Sequence, residues 1–519
     1  MSDTADAIVI GSGHNGLVAA ILLARAGWSV TVLEQASTPG GAVQSAAITA
    51  PGYLHDPYSG FYGLLHASPV FTELGLDRAI EWAHFETPVG AATDPEHAAV
   101  IRASLDATIA GLGADGAAYR ELVAWWERTG SRFLSMSLQP IGALAPALRL
   151  LRRTRIRGSL DLASLLLSPA AQLARERFDD EAVRALIAAG ITHTDLAADA
   201  SFGGSYALIL AMLAQIKGMP IPVGGAGQIT ATLVRLLSEA GGTLVCDTDV
   251  RRVVIERGRA TGVELADGSL LRARRAVLAN TGALTLCRSL VGEQHLPARY
   301  LAGLRRFRYG TGMFKVDLAL DRPLTWSSST LDRCGVVHLT GSLDAMSRAS
   351  HEASRGVLPA EPALIVGQHC IADPSRAPAG AATLWVETHA PPQPVGDGAG
   401  AITGSGWTQV REAFLERIIE RIDTHAPGLR ERIVGVAVRT PDDLERENPN
   451  LVGGDVNGGS AAADLQAIFR PVPGWFRYRT PIKALYLCSA SAHPGGGVHG
   501  MAGRNCAQRV LRDRRLLRR

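Results

Sequence analysis

Six residues near the start of the chain, Gly11-Ser12-Gly13-His14-Asn15-Gly16, have the spacing of a loop that binds the phosphates of a dinucleotide. Gly11 permits a tight turn, Gly13 lets the backbone approach a pyrophosphate, and Gly16 lets a helix pack closely against a strand. A helix that begins in such a loop presents free N–H groups and the positive end of its dipole to the phosphates. The spacing therefore predicts a phosphate-binding loop.

The elements around this loop occur in the order that dinucleotide binding requires. Ala7–Ile10 is a short apolar run typical of a buried parallel strand, and LVAAILLARAG after the loop predicts a helix that ends at Gly27. The second strand, WSVTVLE, ends at Glu34, where a carboxylate can hydrogen-bond both hydroxyls of a ribose. Strand, loop, helix, strand and acid in this order indicate a Rossmann-type unit rather than an isolated glycine loop.

A second glycine pair distinguishes between two kinds of dinucleotide. Gly40-Gly41 follows Glu34 after five residues and lets the chain pass close beneath a longer cofactor, toward a flavin. A nicotinamide dehydrogenase would not need this pair. The pattern resembles the E-x5-G-G signature of the flavin amine oxidase and phytoene desaturase superfamily, which favours FAD.

Length and composition limit the remaining classes. A chain of 519 residues exceeds one hydrophobic core and indicates two or three domains. A formal net charge of +3 gives no electrostatic support for a nucleic-acid partner. The six cysteines are scattered without a C-x-x-C pair and the histidines show no metal-binding spacing, so we expect no metal and a reducing cytoplasm. With no signal peptide and no membrane-spanning run, we expect a cytoplasmic protein that can at most lie on a membrane surface.

The middle of the chain predicts a return to the flavin domain and a separate substrate region. Residues 224–282 contain a glycine turn, a helix, a hairpin around Asp267-Gly268 and the short strand AVLAN. Residues 79–217 are mostly helical by pattern and include an arginine cluster between Arg149 and Arg157. That region is interpreted either as a cap over a lipophilic substrate, resting on anionic lipid, or as an ordinary amphipathic bundle. Residues 301–473 look like a sheet that walls a cavity.

The C-terminal segment supplies a second glycine loop. In LYLCSASAHPGGGVHGMAGRNCAQRV, a strand leads into Gly495-Gly496-Gly497, and Val498 is expected to begin a helix. Glycines there leave room for a flat ring system. The amino end of a helix aimed at a flavin would stabilise the negative charge of the reduced ring.

Together, GSGHNGLVAA, E-x5-GG and HPGGGVHGMAGRNCA resemble the phytoene desaturase-related flavoproteins. The resemblance implies an α/β fold with a Rossmann-type FAD-binding domain assembled from residues 1–78, 218–300 and 474–519. It also implies an α+β substrate domain, comprising a helical cap (79–217) and a sheet (301–473). FAD would be bound without a covalent link, a hydride would leave a C–H bond, and the substrate would occupy a long apolar tunnel.

The same resemblance assigns cofactor contacts to positions of this chain. Gly11, Gly13 and Gly16 would hold the pyrophosphate, Glu34 the ribose, Val250 the adenine, and Gly495–Val498 the flavin ring. The full predicted cofactor set is Gly11, Gly13, His14, Asn15, Gly16, Glu34, Gly40, Gly41, Ala42, Val43, Val250, Asn280, Ala490, Gly495, Gly496, Gly497 and Val498. Many relatives have an arginine after the glycine pair, whereas this chain has Ala42, which moves it away from amine oxidases and established desaturases.

Few side chains are candidates for chemistry, because a flavin itself accepts the hydride. His493 and His499 flank the C-terminal glycine loop and are the candidate proton acceptors, although each could instead be structural. His55, Tyr58, Phe61 and Tyr62 are candidates for the lining of the substrate pocket, with core packing or a structural turn as the alternative.

The sequence therefore predicts an FAD-dependent dehydrogenase or desaturase that acts on a lipophilic or conjugated small molecule, with O2 or a quinone as electron acceptor. The alternatives are an amine or amino-acid oxidase on the same fold, and a non-catalytic escort protein of the flavin fold. The intact glycines and Glu34 count against the last alternative. The sequence indicates neither the substrate nor the oligomeric state.

Overall fold

A computed structural model describes residues 4–140 and 162–516 of the chain. Within these ranges the strands are β1 Thr4–Ile10, β2 Val30–Leu33, β3 Trp82–Ala83, β4 Thr87–Ala92, β5 Ala98–Ile101, β6 Ile221–Pro222, β7 Thr243–Val245, β8 Val250–Glu256, β9 Arg259–Leu265, β10 Leu270–Ala279, β11 Gly312–Leu320, β12 Cys334–Leu339, β13 Val357–Leu358, β14 Leu364–Gly367, β15 Ala382–Ala390, β16 Gly396–Asp397, β17 Ile433–Arg439 and β18 Leu485–Leu487.

The α-helices assigned within the same ranges include α1 His14–Arg25, α2 Gly63–Ala67, α3 Pro69–Glu73, α4 Leu76–Ala79, α5 Leu105–Gly111, α6 Gly116–Trp125, α7 Ser131–Ser137, α8 Ala170–Arg175, α9 Glu181–Ala188, α10 Gly203–Lys217, α11 Gly227–Glu239, α12 Ala298–Leu304, α13 Leu343–Ser354, α14 Trp407–His425, α15 Leu429–Arg432, α16 Pro441–Glu447 and α17 Met501–Leu516. Short 3-10 and π-helical turns connect several of them. None of the helices in these ranges is long and apolar enough to span a bilayer.

The first sheet has the parallel core of a Rossmann-type domain. Its strand order is β7-β2-β1-β10-β9-β8, and β18 pairs with the end of β10. β1 pairs in parallel with both β2 and β10, while β8 and β9 form an antiparallel hairpin beside them. β1 is buried along almost its whole length, as a strand covered on both faces requires. The fold class predicted from the sequence is confirmed.

The second sheet is mainly antiparallel and has two different faces. Its order is β17-β11-β15-β14-β12-β4-β5, with only β12 and β4 parallel. One face carries Phe314, Val316 and Leu318 and packs with α14 in an apolar core of its own. The opposite face contributes Ile365 and Trp385 to the large core that also contains the first sheet. This second face is therefore turned toward the Rossmann-type domain.

Two details differ from the sequence-based expectations. Residues 82–101, expected within the helical cap, form β3, β4 and β5, because the run Thr87–Ala92 is buried and pairs with β12 and β5. The last helix begins at Met501 rather than at Val498, because Gly500 has a φ of +68° that ends any helical path before it. The arginine cluster from Arg149 to Arg157 lies outside the described residues.

Candidate cofactor and substrate site

The glycine loop between β1 and α1 has no room for side chains. Gly11 has a φ of +91°, and a Cβ atom on Gly13 would lie 2.8 Å from Nδ2 of Asn280. A Cβ on Gly16 would lie 2.3 Å from the carbonyl oxygen of Gly11, so the helix can approach the strand only if residue 16 is glycine. α1 begins after Gly13 without a side-chain cap, which leaves its first N–H groups available to a phosphate.

Glu34 lies at the end of β2, beside this loop. One carboxylate oxygen accepts hydrogen bonds from the backbone N–H (2.8 Å) and hydroxyl (2.7 Å) of Ser12, and the other accepts from the N–H of Ala36 (3.0 Å). The carbonyl of Glu34 accepts from Thr248 just before β8, which brings the start of that strand, Val250, to the same corner. A ribose bound to Glu34 would thus lie between the loop and the predicted adenine contact.

The second glycine pair lies directly against the first loop. Gly40 forms a bridge to Gly13, and a Cβ on Gly41 would lie 3.4 Å from Cα of Gly13. The carbonyl of Ala42 accepts a hydrogen bond from the hydroxyl of Ser59, and the carbonyl of Val43 accepts one from the hydroxyl of Thr230. The segment from Gly40 to Val43 is therefore held close against the phosphate loop, at the position expected from the spacing after Glu34.

Asn280 supports the loop from below. It follows the last residue of β10, and its amide donates to the carbonyl of Gly13 at 3.3 Å. Its backbone N–H donates to Ile10 at the end of β1. The side chain therefore contacts the loop itself, which is a positioning role for a residue that the sequence assigned to the cofactor.

The two ends of the chain meet at this loop. The side-chain oxygen of Asn15 accepts from the N–H of Gly503 in α17 at 3.2 Å, and a Cβ on Gly503 would lie 1.9 Å from the carbonyl oxygen of Asn15. His14 lies beside Gly497 of the C-terminal glycine loop, and burial lowers the pKa of its imidazole to about 4. The glycine loop at 495–497 and the phosphate loop therefore form one continuous surface.

His499 and His493 are both buried, and neither is placed as a proton acceptor. Nδ1 of His499 accepts a hydrogen bond from the N–H of Met501 at 3.0 Å, so the proton of the neutral imidazole is on Nε2. Nε2 is inaccessible to solvent and has no hydrogen-bond partner among the described residues. Nε2 of His493 contacts the carbonyl of Gln139 at 2.9 Å. Burial lowers the pKa of His499 to about 3 and that of His493 to about 4, so both imidazoles are neutral at pH 7 and bind a further proton poorly.

Ala490 is held by a buried arginine. Nε of Arg470 donates to the carbonyl of Ala490 at 3.0 Å, and its remaining N–H groups donate to carbonyls of the turn from Asn457 to Ser460. A Cβ on Gly496 would in turn lie 2.5 Å from Oδ1 of Asn457. Arg470 thus ties the strand end before the C-terminal glycine loop to the turn that packs on that loop, a connection that no sequence motif indicated.

The predicted pocket residues lie between the two domains, in a segment that follows the glycine pair. The ring of Phe61 stacks on His369 at 4.5 Å and meets Trp385 edge-on, so it covers the inner face of the second sheet. Tyr58 donates to Glu447 at 3.0 Å, and the hydroxyl of Tyr62 is used within its own turn, at 2.8 Å from the carbonyl of Ser59.

His55 is fully enclosed and bonded to Thr49 at 2.7 Å. Burial and the nearby Lys315 lower the pKa of its imidazole to about 3. Its neighbour Asp56 is an internal anchor, since it accepts from Arg376 at 2.6 Å and from the N–H of Ala226 at 2.9 Å. In this segment Phe61 therefore lies in the space between the two domains, while His55 and Asp56 have structural roles.

The inner face of the second sheet also carries a row of polar side chains that no motif had indicated. The strand registers place Arg439, Lys315, Glu387 and His338 in this order, with the apolar Ile365 between the last two. Nε2 of His338 lies 3.2 Å from Nε2 of His193, whose carbonyl accepts from Asn457 at the C-terminal glycine loop. The row thus runs from the surface near Arg439 toward the loop at 495–497.

Comparisons with known proteins agree with this arrangement. Residues 9–70 match the model of the NAD(P)-binding Rossmann-like domain. The chain is 27% identical to pyridine nucleotide-disulfide oxidoreductase domain-containing protein 2 of Mus musculus, over 98% of this chain and 93% of that protein. It is 26% identical to phytoene desaturase (neurosporene-forming) of Cereibacter sphaeroides, over 97% and 93% of the two chains. Along nearly its whole length the chain is thus similar to relatives that include a phytoene desaturase, and its N-terminal part matches a dinucleotide-binding domain.

A solved structure shows the same fold in a more distant protein. A putrescine oxidase mutant superimposes with a TM-score of 0.62 at 16% identity, covering 98% of each chain. At this identity the likeness concerns the fold alone, a Rossmann-type domain joined to a substrate domain.

The residues at this site fit FAD. Around the loop at 11–16 lie glycines without room for a Cβ, an uncapped helix start, a carboxylate at the end of β2 and a second glycine pair. Gly11, Gly13, Gly16 and Glu34 would hold the diphosphate and ribose, and Gly495–Gly497 would face the isoalloxazine. When bound, FAD supplies a two-electron acceptor for a substrate hydride.

Replacing Glu34 with alanine is expected to weaken FAD binding by about 10- to 100-fold, because hydrogen bonds to a charged group contribute about 1.5–3 kcal/mol. Flavin content and the dissociation constant after reconstitution with FAD measure this effect. Ser12→Ala is the matched control, because it removes one hydroxyl bond to the carboxylate but keeps the backbone bond. Unchanged affinity in Glu34→Ala would show that this carboxylate does not bind the ribose.

Proposed function

We propose that the chain is a dehydrogenase or desaturase that removes a hydride from a C–H bond of a lipophilic or conjugated small molecule. The electrons would pass to O2 or to a quinone. The observation that carries this proposal is the continuous glycine surface formed by the loops at 11–16 and 495–497, which contact each other through His14 and α17. A flat ring on that surface would lie near the inner face of the second sheet, because Asn457 beside Gly496 is bonded to His193, whose ring contacts His338 on that face.

Three features support a catalytic flavoprotein rather than a non-catalytic binding protein. The phosphate loop keeps all three of its glycines with geometry that a side chain would break, so the cofactor site has not decayed. The inner sheet face offers aromatic surface through Phe61 and Trp385, which suits an unsaturated hydrocarbon. One relative along nearly the whole length is a phytoene desaturase by name.

This chain's residues would exclude water and orient the substrate. His493 and His499 would hold the glycine loop in place, since His493 is bonded to Gln139 and His499 to Met501. Arg470 would fix the turn that packs against Gly496. None of these groups needs to take up a proton for a hydride to leave carbon.

Anaerobic reduction of the bound flavin tests the proposal. The purified holoprotein would be mixed with conjugated terpenoids and, separately, with primary amines of similar size, and the visible flavin band would be followed. We expect bleaching by the unsaturated hydrocarbons and reoxidation by air or a soluble quinone. Bleaching by amines alone would favour the amine oxidase alternative, and a colourless protein that takes up no FAD would exclude both enzymes.

A further inference from the structure

One acidic side chain in the polar row is not bonded to any described residue. Glu387 lies on β15 directly opposite Lys315 of β11, and cross-strand partners point to the same side of a sheet. The ammonium of Lys315 turns instead to Asp317, at 2.5 Å, and lies over the ring of Trp385. The carboxyl group of Glu387 is therefore left without an ion pair.

Glu387 nevertheless borders open space. Glu387 is only 8% exposed, yet its carboxyl oxygens are not enclosed by protein atoms, whereas the unpartnered Oδ2 of Asp317 and Nδ1 of His55 are. The carboxyl group is thus almost buried, has no hydrogen-bond partner among the described residues, and is still accessible at its oxygens. Because buried polar groups are almost always hydrogen-bonded, this geometry calls for a partner at those oxygens.

The charges around Glu387 are already balanced. Lys315 pairs with Asp317, and Arg439 pairs with Glu447 at 2.7 Å and approaches Asp317 at 4.0 Å. Burial raises the pKa of Glu387 to about 8, with Asp317 adding to the effect and Lys315 opposing it. Burial lowers the pKa values of His338 in the row and of His55 and His389 beside it, so these imidazoles are neutral. At pH 7 Glu387 is therefore mainly a protonated acid.

We propose that the carboxyl group of Glu387 binds an uncharged oxygen of the substrate, the carbonyl of a ketone or enone. This inference rests on the proposed function and narrows its substrate to carbonyl-bearing molecules. The protonated acid offers one free O–H donor, whereas the ammonium of Lys315 is 1% exposed and already donates to Asp317. A carboxylic acid kept neutral by an apolar setting is a known way to hold such an oxygen.

Charged ligands fit this position less well. A carboxylate would add a negative charge to a row whose cations are already paired, and burying an uncompensated charge is costly. An ammonium group would lie next to Lys315 and Arg439 and would require Glu387 to ionise. A neutral acceptor oxygen satisfies the free O–H of Glu387 without changing the charge of the row.

The test compares three ligands that share one ring: cyclohexanone, cyclohexylamine and cyclohexanecarboxylate. Their binding to the holoprotein is measured by calorimetry at pH about 7 and about 9. We expect the ketone to bind at pH 7 at least about tenfold more tightly than the other two. Its affinity should fall about tenfold by pH 9, because Glu387 loses its proton as the pH passes a pKa of about 8.

Two substitutions of Glu387 test whether its hydrogen-bond donor is what binds the ketone. Glu387→Gln keeps a donor, so ketone binding should persist and lose its pH dependence, whereas Glu387→Leu should weaken it at least about tenfold. The exposed Glu239→Gln is the control and should behave as wild type. Flavin content checks that each variant folds, and the wild-type pH dependence tests the proposal even if Glu387→Leu does not fold.

Equal ketone affinity in Glu387→Leu and wild type, tighter binding of the amine, or an affinity independent of pH would each overturn the assignment. This test and the test of the proposed function can fail independently of each other. Ketone binding that depends on Glu387 without flavin reduction by any unsaturated substrate would refute the function alone. Flavin reduction without an effect of Glu387 on ketone binding would refute this inference alone.

Discussion

Replacing Gly16 with valine is expected to abolish FAD binding, with a loss of at least about 100-fold in affinity. Even a single Cβ atom there would lie 2.3 Å from the carbonyl oxygen of Gly11, 3.0 Å from Nδ2 of Asn280 and 3.1 Å from Cβ of Asn280. These are backbone and a tightly held amide, so α1 would have to move away from β1. The N–H groups at the start of α1 would then no longer converge on a diphosphate.

The measurement is flavin content per protein after expression and after incubation with excess FAD, together with circular dichroism. Gly111→Ala is the matched control, because its Cβ would enter open space and it should leave flavin content unchanged. Stoichiometric flavin in Gly16→Val would mean that the loop at 11–16 is not the cofactor cradle. Loss of flavin with near-native secondary structure would confirm a local effect.

The sequence predicted the parts of the site that depend on local spacing. Gly11, Gly16 and Glu34 are placed by one strand, one helix and a second strand, so their relative positions follow from 24 residues of chain. The loop at 495–497 was recognisable for the same reason. That these two segments would touch, through Asn15 and Gly503, was implied only by the family resemblance.

Features that depend on distant partners were not predictable. Lys315 and Glu387 face each other only because β11 and β15 pair in one particular register. A shift by a single residue would turn one of them to the opposite face. No property of the separate segments fixes that register. The strands at 82–101 were missed for a related reason, since β4 is stabilised by pairing with β12, more than 230 residues away along the chain.

His499 shows the limit of reading chemistry from position. Its place beside a glycine loop suggested a proton acceptor, but the amide N–H of Met501 occupies Nδ1, and burial lowers the pKa. Whether a histidine is a base is decided by what surrounds the ring, and that is a tertiary property. His493, bonded to the carbonyl of Gln139, illustrates the same point.

Replacing Arg376 with methionine is expected to destabilise the protein by about 3–5 kcal/mol, because removal of one partner leaves buried charge uncompensated. Arg376 is 1% exposed, and it donates to Asp56 at 2.6 Å, to Asp373 at 3.0 Å and to the carbonyl of Pro222 at 3.0 Å. Both carboxylates would remain buried in the variant without their cation.

The substitution should also weaken the cofactor site, because the carboxylates of Asp56 and Asp373 hold two glycine segments in place. Asp373 accepts from the N–H of Gly224, and Asp56 accepts from Ala226 and from the hydroxyl of Ser45. Ser45 follows the glycine pair at 40–41, and Phe61 lies a few residues beyond Asp56. We therefore expect Arg376→Met to bind FAD more weakly as well as to unfold at lower denaturant concentration.

Denaturant unfolding of the holoprotein, followed by flavin fluorescence and by circular dichroism, measures both effects. Arg235→Met is the matched control, since Arg235 pairs with Glu239 on the surface, where ion pairs contribute about 0–1 kcal/mol. If the two variants lost similar stability, the pairing of Asp56 and Asp373 with Arg376 would contribute little. If Arg376→Met unfolded early but kept its flavin affinity, the network would stabilise the fold without positioning the glycine segments.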